Sequence, residues 1–336
     1  MSYLATYLSR LDPVIKDPAV IEIAINADGS IWVENAGAVH MSPAPLPPLP
    51  PADVRNLAAQ ISNSTNNRFT ETDPIVSAAV EHDGVMLRCQ VIGPPASSGG
   101  TIIAMRVFRA QAAARESRQF AYLRGQGKSL EDDRRELITE LRGKGDRSDV
   151  DDFLKLLIEH RLNVIVSGGT STGKTELGRR MLDLVASEER IVTIEDSLEL
   201  LPRQKNVVSL ISSRDDASSR SANRLLQSTL RLRPDRIILG ELRGIEAATF
   251  LDAINTGHGG SFTTIHAQTA RKAMDRLALL VMANGSRLAF AEVIRYLETS
   301  IDVIIQMGRE GDRRGIMEVY FPGMEAGAGS RLEELG

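Results

Sequence analysis

Apolar and polar residues alternate, in part, only in the first third of the chain. Val20 to Ile25 (VIEIAI) starts the pattern, Asp28-Gly29 breaks it, and Ile31-Trp32-Val33 resumes it, which predicts a β-hairpin. Val85 to Ile92 and Thr101 to Val107 predict two further strands, separated by the turn-rich GPPASSGG. A helix is expected from Ala52 to Ser62. The proline-dense Pro43 to Pro51 (PAPLPPLPP) is expected to be extended and to act as a stiff connector inside the domain, in preference to a ligand for a proline-reading domain. Residues 1–108 thus predict a small α+β domain.

At Arg109 the pattern changes. As far as Asp152 apolar residues thin out and charges crowd (SLEDDRRELITELRGKGDRSDVDD), which predicts an exposed, partly helical interdomain linker. Arg106, Arg109, Arg115, Arg118 and Arg124 give its first part a basic, solvated face. Beyond Asp152 short continuous apolar runs alternate with helical stretches. Phe153 to Leu162 predicts a helix. Asn163 to Ser167, Ile191 to Ile194, Val207 to Ile211, Arg236 to Gly240, Phe262 to Ile265 and Ile301 to Met307 predict strands. Strands apolar on both faces and separated by helices imply a mainly parallel sheet covered on both sides. The expected fold class is therefore α/β: a small N-terminal α+β domain (1–108), a charged linker (109–152), a second α/β domain (153–322) and a flexible tail (323–336).

Composition narrows the classes. The 336 residues carry 40 Lys/Arg against 44 Asp/Glu, a net charge of −4, with 42% hydrophobic and 25% charged residues. Collagen-like, mucin-like and wholly disordered chains are excluded. No uncharged apolar run approaches the ~20 residues of a membrane span, and MSYLATYLSRLD does not resemble a signal peptide, so a cytoplasmic protein is expected. The single Cys89 excludes an intrachain disulfide framework and a four-cysteine zinc site. The slightly acidic balance argues against a constitutive nucleic-acid coat protein.

The chemistry concentrates in the second domain. Gly168-Gly169-Thr170-Ser171-Thr172-Gly173-Lys174-Thr175 fits G-x-x-x-x-G-K-[ST] between a buried strand and a helix. Such a turn aims backbone N–H groups at one phosphate, and the helix N-terminus adds positive potential. Lys174 is expected on the β- and γ-phosphates of ATP and the Thr175 hydroxyl on Mg²⁺. Glu241, just beyond the strand Arg236 to Gly240, is expected to orient or activate the attacking water. The strand ending at Glu195-Asp196 supplies a second carboxylate toward the metal, Glu195. Helix capping is the competing role for this acidic stretch, with Asp196 and Glu199 suited to a first helical turn. His258 and His266, two of only five histidines, bracket the strand in GHGGSFTTIHA, and His266 is expected to face the γ-phosphate.

Four segments in order, SGGTSTGKT, RIVTIEDSLEL, LRLRPDRIILGELRG and NTGHGGSFTTIHA, resemble the P-loop, acidic box, Walker B and histidine box of the secretion and traffic ATPases. The chain looks most like the type IV secretion branch, because a single cysteine excludes the four-cysteine module of many type II and pilus-extension relatives. The resemblance implies a RecA-like P-loop domain that hydrolyses ATP with Mg²⁺, with Glu241, Glu195, Lys174 and His266 catalytic and His258 in the histidine box. It implies that Arg88 and Arg106 of the N-terminal domain reach nucleotide phosphates. It further implies a homo-hexamer peripheral to the inner membrane, working with secretion-channel components on a protein or protein–DNA substrate. The alternatives are an ATP-binding docking switch with little turnover, a related conjugative-transfer or pilus-assembly ATPase, and a DNA-translocating motor. The acidic charge and the lack of basic–aromatic interleaving argue against the last.

Overall fold

The computed structural model describes residues 3–109, 123, 129–145, 149–283, 285 and 287–324. The basic face read from Arg115, Arg118 and Arg124, and residues 325–336 of the expected tail, lie outside the described residues.

The first unit begins with short helices α1 (Tyr3–Leu8) and α2 (Asp12–Ile15), followed by β1 (Val20–Ile25), β2 (Ile31–Asn35), β3 (Ser42–Pro43), α3 (Pro51–Ser64), β4 (Ile75–His82), β5 (Val85–Ile92) and β6 (Ile102–Arg109). Its antiparallel sheet has the order β3-β2-β1-β6-β5-β4. The expected hairpin is β1–β2. The proline segment forms a connector: it supplies β3, then buries Leu49 in the core beside α3. β4 is the strand that the apolar pattern does not announce. Its buried positions Val76, Ala78 and Val80 alternate with small or polar residues, too weak a signal on its own.

Period-two alternation divides the labour of this sheet. Ile23, Leu87, Cys89, Ile103 and Met105 point to the helices α1–α3 and form one core. On the other face, Ile92, Ile102 and Ala104 pack into the core of the second unit. The same face continues past that contact with Glu22, Arg88, Arg106 and Phe108.

The second unit is built on the order β13-β12-β7-β11-β10-β8-β9. Its strands are β7 (Val164–Gly168), β8 (Ile191–Glu195), β9 (Val207–Ile211), β10 (Arg236–Leu239), β11 (Phe262–Ile265), β12 (Val303–Glu310) and β13 (Arg313–Tyr320). All neighbours are parallel except the terminal β12–β13 pair. Helices α4 (Leu130–Gly145), α5 (Val150–Glu159), α6 (Lys174–Asp183), α7 (Ala222–Thr229), α8 (Glu246–Asn255), α9 (Ala270–Ala283) and α10 (Phe290–Ser300) complete it. They pack on both faces, in two apolar clusters.

Two expectations change. The charged stretch is not all exposed linker: α4 lays Leu137, Ile138 and Leu141 against α5 and the sheet core, and Leu141 is 1% exposed. A one-sided apolar stripe at i, i+1 and i+4 suffices to dock a helix that is otherwise charged. The GPPASSGG segment is also more than a turn. Ala96 and Ser98 hydrogen-bond to Ile211 and Ser209 (2.8 and 2.9 Å), covering the open edge of β9.

The units are clamped by a buried cation. Arg190, fully buried at the start of β8, donates to the Asn26 side chain of the first unit (2.8 Å), to Asn206 and to the Leu232 carbonyl (2.8 Å). Asn26 also donates to Asn206 (3.0 Å). At the rim Arg233 holds Glu34 through Nε and Nη2, at 2.7 and 2.9 Å.

Leu141→Ala is expected to lower unfolding free energy by about 2–5 kcal/mol, the cost of a cavity in a packed core. A urea titration reads this, and a loss below about 0.5 kcal/mol would return α4 to the exposed linker.

Candidate active site

β7 ends at Gly168 and α6 starts at Lys174, so residues 168–175 make the strand-to-helix turn. Ser171 (φ 59°) and Gly173 (φ 95°) take the left-handed conformation that curls it. A Cβ on Gly168 would stand 2.6 Å from Thr172 Oγ1 and 2.8 Å from the Met307 carbonyl, so only glycine lets β12 approach this closely. Thr172 Oγ1 donates to the Gly169 carbonyl (3.0 Å), bracing the loop across Thr170 and Ser171. The Lys174 ammonium folds over it, donating to the Gly168 and Gly169 carbonyls (3.0 and 2.8 Å). Burial lowers the Lys174 pKa, and the negative charge of Glu241 opposes that shift.

β11 lies parallel beside β7, with Ile265 opposite Ser167, which sets His266 next to the loop. His266 Nδ1 is 3.4 Å from Lys174 Nζ and Nε2 is 3.4 Å from Glu241 Oε1. With Lys174 donating, Nδ1 accepts and Nε2 carries the proton that faces Glu241. Glu241 accepts from Arg243 Nη2 (2.7 Å) through its other oxygen, and Arg243 Nη1 also donates to Asp196 (3.0 Å). The Glu241 contact is the main reason the Arg243 pKa is raised. Burial pushes Asp196 up, but Arg214 and Arg243 together hold it below the usual carboxylate range. Glu246 pins this loop by accepting from the Arg243 and Gly244 backbone N–H groups at 2.6 and 2.8 Å.

Glu195 closes the floor. One carboxylate oxygen accepts from the backbone N–H groups of Glu199 and Leu200, both at 3.0 Å. The other is buried with no hydrogen-bond partner. Burial raises the Glu195 pKa, and the two N–H groups pull it back. A Cβ on Gly240 would meet Glu195 Cγ at 3.3 Å, so the glycine before Glu241 makes room for this side chain. The structure also brings in Glu199, whose Oε2 accepts from the Thr175 hydroxyl at 3.1 Å. The spacing Glu195-x-x-x-Glu199 was the available signal, but it fits helix capping equally well. Here no helix follows, and the carboxylate turns to the P-loop instead. Thr175, Glu195 and Glu199 form an all-oxygen donor set suited to a hard divalent cation such as Mg²⁺, and the unpartnered Glu195 oxygen fits that use. These groups line a cavity of about 600 Å³ outside the carboxyl ends of the strands.

Arg88, Arg106 and His258 are not in this cavity. They line a second one of about 350 Å³, with Glu22, Arg161, Arg233 and Asp235. Arg161, Asp235 and His258 precede β7, β10 and β11, so it sits at the opposite edge of the sheet. A strand of this length separates the two edges by about 15 Å. His258 is tied to the Ala253 carbonyl (3.2 Å), and burial lowers its pKa. Within one chain, then, Arg88, Arg106 and His258 lie apart from the P-loop cavity: the strand β11 sends His266 to one edge and leaves His258 at the other.

A parallel α/β sheet with a phosphate-type turn at its carboxyl edge, fused to an α+β unit, defines the class: a two-unit P-loop protein. The type II/IV secretion system protein family matches residues 131–314, more than half of the chain, and the chain belongs to that family. It is 30% identical to the type IV secretion system protein VirB11 of Bartonella quintana, over 95% of this chain and 93% of that protein. It is 28% identical to a putative conjugal transfer protein of Mycobacterium tuberculosis, over 92% and 82%. The crystal structure of the VirB11 ATPase from the Brucella suis type IV secretion system, in complex with sulphate, superposes with a TM-score of 0.78 at 27% identity, covering 95% of this chain and 98% of that one. The family resemblance seen in the four motif segments is borne out.

Gly168→Ala is expected to weaken MgATP binding at least tenfold while the protein stays folded, because the new methyl must displace Thr172 or β12. Fluorescent-nucleotide titration beside a thermal melt checks this, and unchanged affinity would show that the loop adapts.

Proposed function

We propose that this chain is the MgATP-hydrolysing motor of a type IV secretion machine. As a member of a family that includes the Brucella VirB11 ATPase, it is an ATP-hydrolysing enzyme. The observation that carries the detailed reading is the relay Lys174–His266–Glu241–Arg243, which links the P-loop to a carboxylate beyond β10.

In this reading Lys174 leaves the Gly168 and Gly169 carbonyls for the β- and γ-phosphates, a charge-assisted exchange. Thr175, Glu195 and Glu199 would hold Mg²⁺ or its waters. When bound, the metal neutralises charge developing on the phosphates. Glu241 accepts a proton from, and aims, the attacking water. His266 senses the phosphate through Lys174 and passes its position to Glu241.

Arg88 and Arg106 line the cavity at the opposite edge of the sheet from the P-loop of their own chain. The reading therefore assigns them, with His258, to the nucleotide of a neighbouring subunit. Planar guanidinium groups suit phosphate oxygens. A ring of six chains closes such head-to-tail contacts without free ends. Opening and closing between subunits would then follow the γ-phosphate and move a protein or protein–DNA substrate into the channel. Among the described residues no helix is long and apolar enough to cross a membrane. Attachment at the cytoplasmic side of the inner membrane would run through channel components. The division into residues 1–108, 109–152 and 153–322 is kept for function, with α4 moving as part of the ATPase unit.

Glu241→Gln is expected to retain ATP binding and lose phosphate release by about 10²-fold or more. Turnover per bound ATP that survives the change would make Glu241 structural and favour a docking switch. Lys174→Ala and Arg106→Ala chains, each of low activity alone, are expected to regain phosphate release when mixed, because a Lys174→Ala subunit lends its Arg106 to an intact neighbouring P-loop. Activity that merely averages the two would place Arg106 on its own chain's nucleotide.

A further inference from the structure

Glu22 lies at the back of the basic cavity, and no role in the reaction has been given to it. It is on β1, directly across the ladder from Arg106 on β6. The Arg106 guanidinium stacks over Phe108 (5.6 Å), as does that of Arg88 (5.4 Å). Arg106 Nε stands 3.7 Å from Glu22 Oε1, a charge contact too long for a hydrogen bond. The two ends differ in burial: the Glu22 side chain is 15% exposed and that of Arg106 63%. The carboxylate is thus largely buried at the sheet, and the guanidinium resting against it is exposed.

We propose that Glu22 is a positioning residue that parks Arg106 on its own subunit and must release it before Arg106 can take a phosphate oxygen of the neighbouring subunit's nucleotide. This rests on the reading that Arg106 serves that phosphate. Three observations support it. A carboxylate in a cavity lined by Arg88, Arg106, Arg161 and Arg233 compensates charge that a phosphate would otherwise compensate, so the two anions compete for one cation. The contact lacks a hydrogen bond, so a phosphate making charge-assisted bonds wins the exchange. Release also leaves no stranded buried anion. Burial drives the Glu22 carboxyl up to about 7, with Arg106 the strongest opposing group, Glu34 adding to the rise, and Arg233 and Arg190 opposing it. Of the other titratable groups lining the cavity, Asp235 is held by Arg233 and His258 by a backbone carbonyl. Loss of the Arg106 charge pushes the Glu22 carboxyl further up, so protonation of the buried Glu22 is favoured once Arg106 departs.

The test is steady-state phosphate release by the full chain against MgATP, for wild type, Glu22→Gln, Arg106→Ala and the double variant, each with a thermal melt. Glu22→Gln is expected to lower KM by up to about fivefold, the upper end for a partly exposed ion pair, with kcat within about twofold. Arg106→Ala is expected to raise KM, and adding Glu22→Gln to it to change nothing further. Glu22→Asp, which keeps the charge on a shorter side chain, is expected to fall between wild type and Glu22→Gln, and it carries the test if the glutamine variant folds poorly. A KM that Glu22→Gln leaves unchanged while Arg106→Ala raises it overturns the parking role alone. So does a KM lowered equally in both backgrounds, which would act through another group. A KM untouched by Arg106→Ala overturns the phosphate reading, and the parking role with it.

Discussion

The buried Arg190 guanidinium is the constraint on which the arrangement of this protein depends. A fully buried cation is costly unless it is hydrogen-bonded, and its partners here come from both units: Asn26 from the first, Asn206 and the Leu232 carbonyl from the second. Breaking the units apart would take the Asn26 acceptor away from it. The Ala96–Ser98 segment on the β9 edge and the Arg233–Glu34 pair at the rim act in the same direction. Together they hold the N-terminal sheet against one side of the ATPase sheet in one orientation.

That orientation decides where the chemistry can happen. Phosphate-binding groups gather at the carboxyl edge, where strand ends and the first turn of α6 converge. The N-terminal arginines are held at the amino edge, a strand length away. In the proposed reading, a site that needs both is shared between chains, and Glu22 holds the arginine until the neighbour's phosphate arrives.

The relay at the carboxyl edge is economical in its parts. His266 touches Lys174 with one nitrogen and Glu241 with the other, which joins the P-loop lysine to the carboxylate. Glu195 spends one oxygen on the loop that follows it and keeps the other unpartnered, aligned with use by a cation or its waters. Gly168 and Gly240 are both packing requirements, one for β12 and one for Glu195.

The sequence by itself announced six of the second unit's seven strands and the helices α5 and α6. Strands buried on both faces must be continuously apolar, and a phosphate turn needs its glycines, lysine and threonine at fixed offsets, so both leave local signatures. The hairpin β1–β2 and the strand β5 were equally local. What only the tertiary structure decided was set by distant contacts. β4 and β13 gain their burial or pairing from neighbours, not from their own pattern. α4 looked like a linker because charge outweighs its three-residue stripe until α5 covers that stripe. Glu199 suited a cap until the chain turned it to Thr175. Arg88, Arg106 and His258 carry residue types that fit a phosphate, but type and spacing do not say which edge of a sheet a side chain reaches. A buried arginine between two asparagines, far apart in sequence, made that choice.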